Sequence, residues 1–470
     1  MRVVVRHTRD RLVACPRTVR GMVNQTDVVV VGAGAAGCFA ALAARGAIAP
    51  DGSPVPPAPD APDVLLLDGQ DQPGRKILIS GGGRCNVTNA VVRPQDYITS
   101  SPKRLRSQLR ELGPDPVRHF FAAMGVPLTE EPLGKLFPAD GGVARDVLGA
   151  LHHALANAGV ATRYGTPVRH VAPTDGRWQL DDVTAQRVVL ATGGRSVPAT
   201  GSTGFGLELA GRLGHTMVAA VPALAPVLGR TDTRLAGQTV PVILTVSDPD
   251  GRVRRRAAGS LLFTHRGVSG PAALDVSEEV ERGGDDVRVT ADLWSLTDPT
   301  GPMGSFLDAP KLPGACLPDT PPPTDTGELD RTLATMLADA DRGATLGSVL
   351  RPRVARRLIE VLVGDDAALP AGQVPKAVRR RVARSLTALD LAASGTGGYA
   401  KAEVTAGGVH LDELDRRTLE SSIAPGLHLC GEVCDVTGRL GGLNFQWAWT
   451  SGYLAGRGAA AALTRPGTPG

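Results

Sequence analysis

Hydrophobic and polar positions follow two regimes along the chain. From residue 26 to about 200, short unbroken apolar runs alternate with glycine turns and helical stretches. Val28-Val29-Val30-Val31 and Val64-Leu65-Leu66-Leu67 contain no polar position, as in strands of a parallel sheet covered on both faces. Small residues from Cys38 to Ala44 and the stretch Ala150–Ala156 predict helices. Thr166–Val171 predicts a short strand. Trp178–Leu180 and Ala185–Val189 predict a hairpin running through Val188–Ala191 into Thr192-Gly193-Gly194. From about Thr216 the pattern becomes β-rich, with strands expected at Val240–Val246, at a segment ending in Leu261-Leu262-Phe263, and at Val287–Leu293. Asp248-Pro249-Asp250-Gly251 between the first two is a turn signal. A small barrel or twisted sheet is expected there.

Residues 295–327 are rich in Pro, Gly, Asp and Thr and read as a linker or long loop. A helical period returns over 328–390. Leu329, Leu333 and Leu337 form one apolar stripe, Leu346 to Leu362 a second, and Val378, Val382, Leu386 and Leu389 a third. The last segment is α/β again: Leu427-His428-Leu429-Cys430 reads as a strand entering Gly431-Glu432, and a helix is expected from about Gln446 to Ala462. The chain is therefore of the α/β class, with one nucleotide-binding domain split in two. Its parts are expected at 26–205 and 393–465, around an inserted β-barrel-like domain at 206–325 and a small helical domain at 326–392.

The first glycine turn carries chemistry. Gly32-Ala33-Gly34-Ala35-Ala36-Gly37 follows a buried strand and opens a helix at the spacing G-x-G-x-x-G. Gly32 suits the tight turn, Gly34 the close approach of backbone to a pyrophosphate, and Gly37 the packing of helix on strand. The unpaired N–H groups and the dipole of that helix favour phosphate charge. Asp68 ends the second strand, where a carboxylate accepts hydrogen bonds from an adenosine ribose. Gly37 and Asp68 stand farther apart than usual, and the proline-rich insertion Ala49–Pro62 accounts for the excess.

Composition narrows the classes without changing this reading. The 470 residues allow two or three domains, and 42% hydrophobic with 21% charged residues is ordinary for a globular protein. A net charge of +4 does not call for a nucleic-acid or membrane partner. No apolar run is long enough to span a bilayer. Residues 1–21 are basic without a continuous apolar stretch, hence not a secretory signal; they read as an extension or as a start placed upstream of Met22. The cytoplasm is the default location. Cys15, Cys38, Cys85, Cys316, Cys430 and Cys434 form no paired framework and no zinc site. Arg379, Arg380, Arg381 and Arg384 line one side of the last helical stripe and read as a solvated face. The alternative is a phosphate-binding patch on RNA.

Glycine-rich turns recur at both ends of the chain, which suits the elongated FAD rather than NAD. Gly431-Glu432 looks like the late strand end that holds the ribitol in glutathione-reductase-like flavoproteins. The helix after Gly442 would point its N-terminus at the flavin pyrimidine edge. No second strand–glycine–helix unit is present for a dedicated NAD(P)H domain, so NAD(P)H would dock only transiently as electron donor.

With these residues assembled, the chain resembles a bacterial flavoprotein family, that of the BaiN-type enone reductases and the enzymes named aminoacetone oxidases. Four stretches carry the resemblance: Gly74 to Asn89, Phe263 to Pro271, Ala402 to Val409, and Gly431 to Gly438 continuing through Gly441-Gly442-Leu443-Asn444-Phe445-Gln446. It covers almost the whole chain from residue 26. It implies FAD, a β-rich middle domain and a helical insertion. Two departures stand out: Arg266 where an aromatic residue is usual after the histidine, and Asp68 where glutamate is usual.

Cofactor contacts are expected from the first glycine turn, from Asp68 and Gly69, and from Lys76. The loop Ser80, Gly81, Gly82, Gly83, Arg84, Cys85, Asn86 and Thr88 is expected to join them, its three glycines placing N–H groups near pyrophosphate and flavin. So are Val168, then Ala191, Thr192 and Gly193. At the C-terminal end Gly431, Glu432, Asp435, Gly442, Asn444, Phe445 and Gln446 are expected. Cys85 reads as a packed thiol. His265 is the candidate proton donor and Arg266 the candidate binder of a carboxylate or carbonyl. Phe205, Tyr399, Phe445, Trp447 and Trp449 are candidates to line or buttress the ring. The expected activity is FAD-dependent hydride transfer with a small organic substrate, by enone reduction or amine oxidation. Alternatives are a tRNA-modifying flavoprotein and a non-enzymatic flavin-binding module.

Overall fold

β1, Gln25–Val31, is the central strand of a parallel sheet because its second half, Val28–Val31, is buried on both faces. The computed structural model describes residues 24–297 and 322–463. On one side of β1 lies β2, Val64–Leu67, followed by Ala161–Arg163. On the other lies Val183–Leu190 and then Leu427–Leu429, all of them parallel. The register aligns Arg163, Leu67, Val31, Leu190 and Leu429 across the sheet. The residues that follow each strand, Asp68, Gly32, Ala191 and Cys430, therefore emerge side by side at its carboxyl edge. A hairpin, Val171–Thr174 with Arg177–Leu180, pairs antiparallel with the first half of Val183–Leu190 and leaves the second half for Leu427–Leu429.

The strand expected at Thr166–Val171 is not formed. The parallel strand is Ala161–Arg163, whose only fully buried residue is the polar Thr162, so no apolar run marks it. Gly165 turns at φ +67°, and Asp181 then takes the N–H groups of Arg169 and His170, fixing the next segment as a loop. The insertion Ala49–Pro62 is fastened to the domain. Arg45 donates to the carbonyls of Ala61, Pro62 and Ala158, and Gly52 abuts the backbone of Pro116.

α1, Ala35–Ala44, covers one face of the sheet and packs against the C-terminal helix Leu443–Ala461. Two glycines one turn apart make that packing close. A Cβ on Gly452 would lie 2.3 Å from the Ala36 carbonyl oxygen, and one on Gly456 would lie 2.0 Å from that of Ala40. Trp449 fills the space beyond, against Phe39, Phe121 and Phe445.

The described residues between Val227 and Thr396 contain a seven-stranded antiparallel sheet. Its edge strands, Leu389–Asp390 and Ala393–Thr396, are separated only by Leu391 and Ala392, so the sheet curls until its two edges meet through the chain. The helix Pro271–Gly283 packs across it. The helices Thr326–Ala338, Leu346–Leu350, Arg356–Leu362 and Lys376–Thr387 share its core: Leu329, Leu333, Leu346 and Leu386 join Val242, Leu244, Phe263 and Val289. The single apolar face expected from Leu346 to Leu362 is cut into two helices by a turn containing Pro352. Most of the expected linker, with Cys15, Cys316 and Met22, lies outside the described residues. Met217–Ala223 paired with Val404–Val409 forms a short ribbon between the two cores. No helix among the described residues is long and apolar enough to cross a membrane.

A helical Gly→Ala change normally stabilises by about 1 kcal/mol. At Gly456 the Ala40 carbonyl blocks the methyl, and Gly456→Ala should instead destabilise by about 1–3 kcal/mol. Urea denaturation followed by circular dichroism checks the sign.

Candidate functional site: a crevice along the carboxyl edge of the sheet

The aligned strand ends build one continuous rim. Gly32 turns at φ +104°, and a Cβ there would lie 2.4 Å from the Ala191 carbonyl oxygen. Gly37 allows a similar contact, since its Cβ would meet the Gly32 carbonyl oxygen at 1.7 Å. Gly34 has no atom within 4 Å of its missing Cβ and caps α1 without a side-chain hydrogen bond. The first N–H groups of α1, from Ala35 and Ala36, thus start a helix with no side chain over them.

Asp68 holds the rim in shape. Its Oδ2 accepts the Ala33 N–H at 2.7 Å and its Oδ1 accepts the Gln70 N–H at 2.8 Å. Burial raises its carboxyl and these two N–H groups oppose the rise. Gly69 is exposed beside Pro167, and the Thr166 N–H reaches the Asp68 carbonyl at 3.0 Å. The half-buried Val168 stands in that same loop. On the other side Ala191 donates its N–H to Val31, Gly193 takes φ +71°, and the buried Thr192 Oγ1 has no partner among the described residues.

Farther along, the two ends of the chain meet. A Cβ on Gly431 would lie 2.9 Å from the Cβ of Ala36. Glu432 then anchors a polar cluster. Its Oε2 receives Lys76 Nζ at 2.7 Å, and its Oε1 receives the Thr405 N–H at 2.5 Å and Ser196 Oγ at 3.1 Å. Lys76 also contacts Ser196 Oγ at 2.6 Å, and Thr405 Oγ1 accepts the Arg195 and Ser196 N–H groups. Burial alone would raise the Glu432 carboxyl, but Lys76 and Thr405 hold it below its ordinary value.

The glycine loop is tightly turned, with Gly81, Gly82 and Gly83 at positive φ, and Gly82 faces open space. Ser80 Oγ donates to the Ile77 carbonyl. Arg84 lies over the Phe137 ring and pairs with Glu131. Cys85 is buried at φ +62°, and burial pushes its thiol up to about 12, which keeps it protonated and unreactive. Asn86 Oδ1 accepts the Leu136 N–H and lies 2.9 Å from where a Cβ on Gly442 would stand. Thr88 and Gln446 are fully buried and bonded to each other at 2.5 Å, Gln446 also reaching the Leu112 carbonyl. These two side chains fasten the C-terminal helix to the loop.

Asp435 receives the N–H and hydroxyl of Ser100, and Asn444 closes the Gly438 turn with two 2.8 Å bonds. Phe445 stacks on Trp449. Trp447 donates to the Gly431 carbonyl and Trp449 to that of Val87, so both indoles are core pillars. Gly442 caps its helix at φ +90° without a side-chain bond. His265 and Arg266 occupy an exposed hairpin turn, and among the described residues only their backbone groups form hydrogen bonds. Glu413, His215 and Ser421 form a chain of 2.9 and 2.8 Å contacts. Ser421 Oγ also accepts two backbone N–H groups and is buried, so the chain is a latch and not a nucleophilic triad.

The residues fit an elongated dinucleotide. Two uncapped helix starts, an open glycine at Gly34 and another at Gly82, and the unpartnered Thr192 hydroxyl belong to one rim. Ser196 and Thr405 were not among the sequence candidates. Thr405 lies inside the stretch Ala402–Val409, which signals a site without saying which side chain matters. No group of residues suited to a metal ion occurs among the described residues.

Fold and rim define a Rossmann-type dinucleotide-binding protein. Residues 26–458 match the HI0933-like protein Rossmann domain family. The chain belongs to that family of FAD-dependent oxidoreductases. It is 33% identical over 447 residues to the Escherichia coli protein named ribosomal RNA dihydrouridine synthase, covering 93% of this chain and 98% of that one. It is 30% identical over 446 residues to the Clostridium scindens 3-dehydro-bile acid delta(4,6)-reductase, covering 92% and 98%. Among solved structures it is similar to the 3-ketosteroid delta1-dehydrogenase of Sterolibacterium denitrificans at 15% identity and TM-score 0.46, over 93% of this chain and 100% of that one.

The Glu432 carboxyl lies below its ordinary 4.5 in the folded protein. The stability it contributes is therefore present above that value and lost as pH falls through the lowered one. Glu432→Gln should flatten this acid limb, so that the parent protein loses stability more steeply than the variant below the same pH; denaturation midpoints between pH 7 and roughly pH 3 measure it.

Proposed function

We propose that the enzyme transfers hydride from reduced FAD to a carbon–carbon double bond conjugated with a carbonyl group. In this reading the described residues of 26–205 and 393–465 hold the nucleotide, and those of 206–325 and 326–392 lie over it. Gly32–Gly37 take the pyrophosphate, Asp68, Gly69 and Val168 the adenosine end, and Glu432 with Lys76 the ribitol end. The 80–83 turn and Gly442–Gln446 border the ring. Bound FAD supplies the hydride and holds the electron pair between donor and substrate.

The protein's own share is electrostatic and positional. The uncapped start of the helix at Leu443 favours negative charge on the ring edge beside it. The Lys76–Glu432–Ser196–Thr405 cluster ties the rim to the ribbon and fixes the Gly431 turn against α1. The observation that carries the reading is likeness over nine-tenths of the chain to relatives whose names denote saturation of such bonds. A delta(4,6)-reductase acts on double bonds in line with a 3-keto group. A dihydrouridine synthase saturates the uracil bond conjugated with a ring carbonyl.

A second reading places that double bond in an RNA uridine, because two relatives, from Escherichia coli and Haemophilus influenzae, are named ribosomal RNA dihydrouridine synthases. The arginine side of Lys376–Thr387 gives it little support. Arg379 and Arg380 pair with Asp330, and Arg381 pairs with Asp366.

The purified protein should be yellow and release FAD on denaturation. After anaerobic reduction with NADH or NADPH, 2-cyclohexen-1-one should reoxidise the flavin faster than oxygen does. Rapid reoxidation by oxygen with none by the enone or by uridine-containing RNA would overturn the reading in favour of an oxidase. Reoxidation by RNA alone, falling steeply with salt, would select the RNA substrate.

A further inference from the structure

One acidic side chain in the crevice is committed to nothing. Glu403 is open to solvent on one side although protein crowds it on the others, and its carboxyl makes no hydrogen bond or ion pair among the described residues. Its backbone, by contrast, is fixed on both sides. The Glu403 N–H donates to the Leu224 carbonyl at 3.1 Å, just beyond the end of the ribbon between the two cores. Its carbonyl accepts Ser196 Oγ at 3.2 Å, and that hydroxyl also touches Lys76 and Glu432. Two residues on, the Thr405 N–H is bound to Glu432. Glu403 therefore stands on a rigid segment directly beside the polar cluster.

Charged groups from three parts of the molecule act on its carboxyl. Lys76 comes from the nucleotide-binding rim, Lys135 from the strand Lys135–Pro138 that pairs with Thr88–Asn89, and Asp275 from the helix Pro271–Gly283 across the curled sheet. We propose that Glu403 is the acid that delivers a proton to the substrate carbon next to the activating carbonyl. This assignment rests on the double-bond reading above. Hydride arrives at the β-carbon from the reduced flavin, and the π pair moves onto the carbonyl oxygen as an enolate. The enolate then takes the Glu403 proton at its α-carbon as the O–H bond breaks. Glu403 is left as a carboxylate and regains a proton from water; the flavin is oxidised and the substrate reduced by two electrons.

The surroundings move the Glu403 carboxyl upward, in the direction this role needs. The protein crowded around it, by displacing water, raises the Glu403 carboxyl, the Asp275 charge raises it further, and Lys135 and Lys76 oppose them without prevailing.

The test compares parent, Glu403→Gln and His265→Asn holoenzymes, with the flavin photoreduced under anaerobic conditions. Two acceptors are used: 2-cyclohexen-1-one, and 1-nitrocyclohexene, whose nitro group holds the anion left by hydride transfer without a proton. Glu403→Gln should slow reoxidation by the enone about 100-fold or more and change reoxidation by the nitroalkene less than about tenfold. Carboxyl-labelled glutamate NMR, independent of turnover, should show in the parent, beside the raised signal of Glu278, a second signal titrating above 4.5 that is missing from Glu403→Gln. Equal enone rates in parent and Glu403→Gln would overturn the assignment. So would the same split in His265→Asn alone, or the absence of that NMR signal. If neither acceptor reoxidises the parent enzyme, the double-bond reading itself fails and takes the assignment with it.

Discussion

The site depends on a helix contact made without side chains. α1 and the C-terminal helix approach until the Ala36 and Ala40 carbonyls occupy the space that Cβ atoms on Gly452 and Gly456 would fill. Dispersion at this distance is large for its area, and any added methyl must push backbone against backbone. The contact also sets the site's geometry. With the C-terminal helix locked on α1, the turn preceding it has no choice but to bring Gly431 to Ala36 and Gly442 to Asn86. Two segments from opposite ends of the chain thus become one rim, and the intervening lobe is attached through the ribbon of Met217–Ala223 and Val404–Val409.

A charged cluster then completes what packing begins. Lys76 and Glu432 are both largely out of water, and removing two ions from water is costly enough that such a pair seldom adds much net stability. What it supplies is direction. Ser196 and Thr405 both bind Oε1 while Lys76 holds Oε2, so the carboxylate is fixed from both of its oxygens. Because Ser196 follows the strand Val183–Leu190, Thr405 lies in the ribbon and Lys76 follows the first glycine-rich region, the cluster ties three segments to a single carboxylate.

What could be read from sequence follows from how local each determinant is. Val28–Val31 and Val64–Leu67 are buried on both faces, and that alone makes them legible as parallel strands. The hairpin around Asp181 and the strands Thr239–Ser247, Val253–Thr264 and Arg288–Asp292 likewise follow from local alternation and turns. Ala161–Arg163 escapes because a three-residue strand with a buried threonine has no pattern; its existence depends on β2 beside it. The closure of the curled sheet through Leu391 and Ala392 escapes for the same reason, as edge pairing is decided by distant strands. At the rim, glycines that need positive φ or meet a carbonyl announce themselves. Thr88 and Gln446 do not reveal that they are satisfied by one another, and Lys76 does not reveal that its partner is Glu432.

Two glutamates near one lysine end up with opposite acidities. Glu432 is reached directly by Lys76 at 2.7 Å and by a backbone N–H, and those contacts overcome the penalty of burial. Glu403 feels the same ammonium without a direct bond, together with Lys135, and feels the Asp275 charge as well; there the loss of surrounding water prevails. A site that must both stabilise charge and give up a proton needs one carboxyl of each kind, and pairs whose surroundings drive their acidities apart are how a single fold obtains them. The difference arises from the chain direction at Ala402–Val409: one backbone N–H, that of Thr405, points into the cluster, while the side chain two residues earlier is left outside it. Placing an acid one residue before a short strand and an anchor inside it ties their separation to backbone geometry rather than to flexible side chains, and the ribbon that this strand belongs to is also what joins the two lobes.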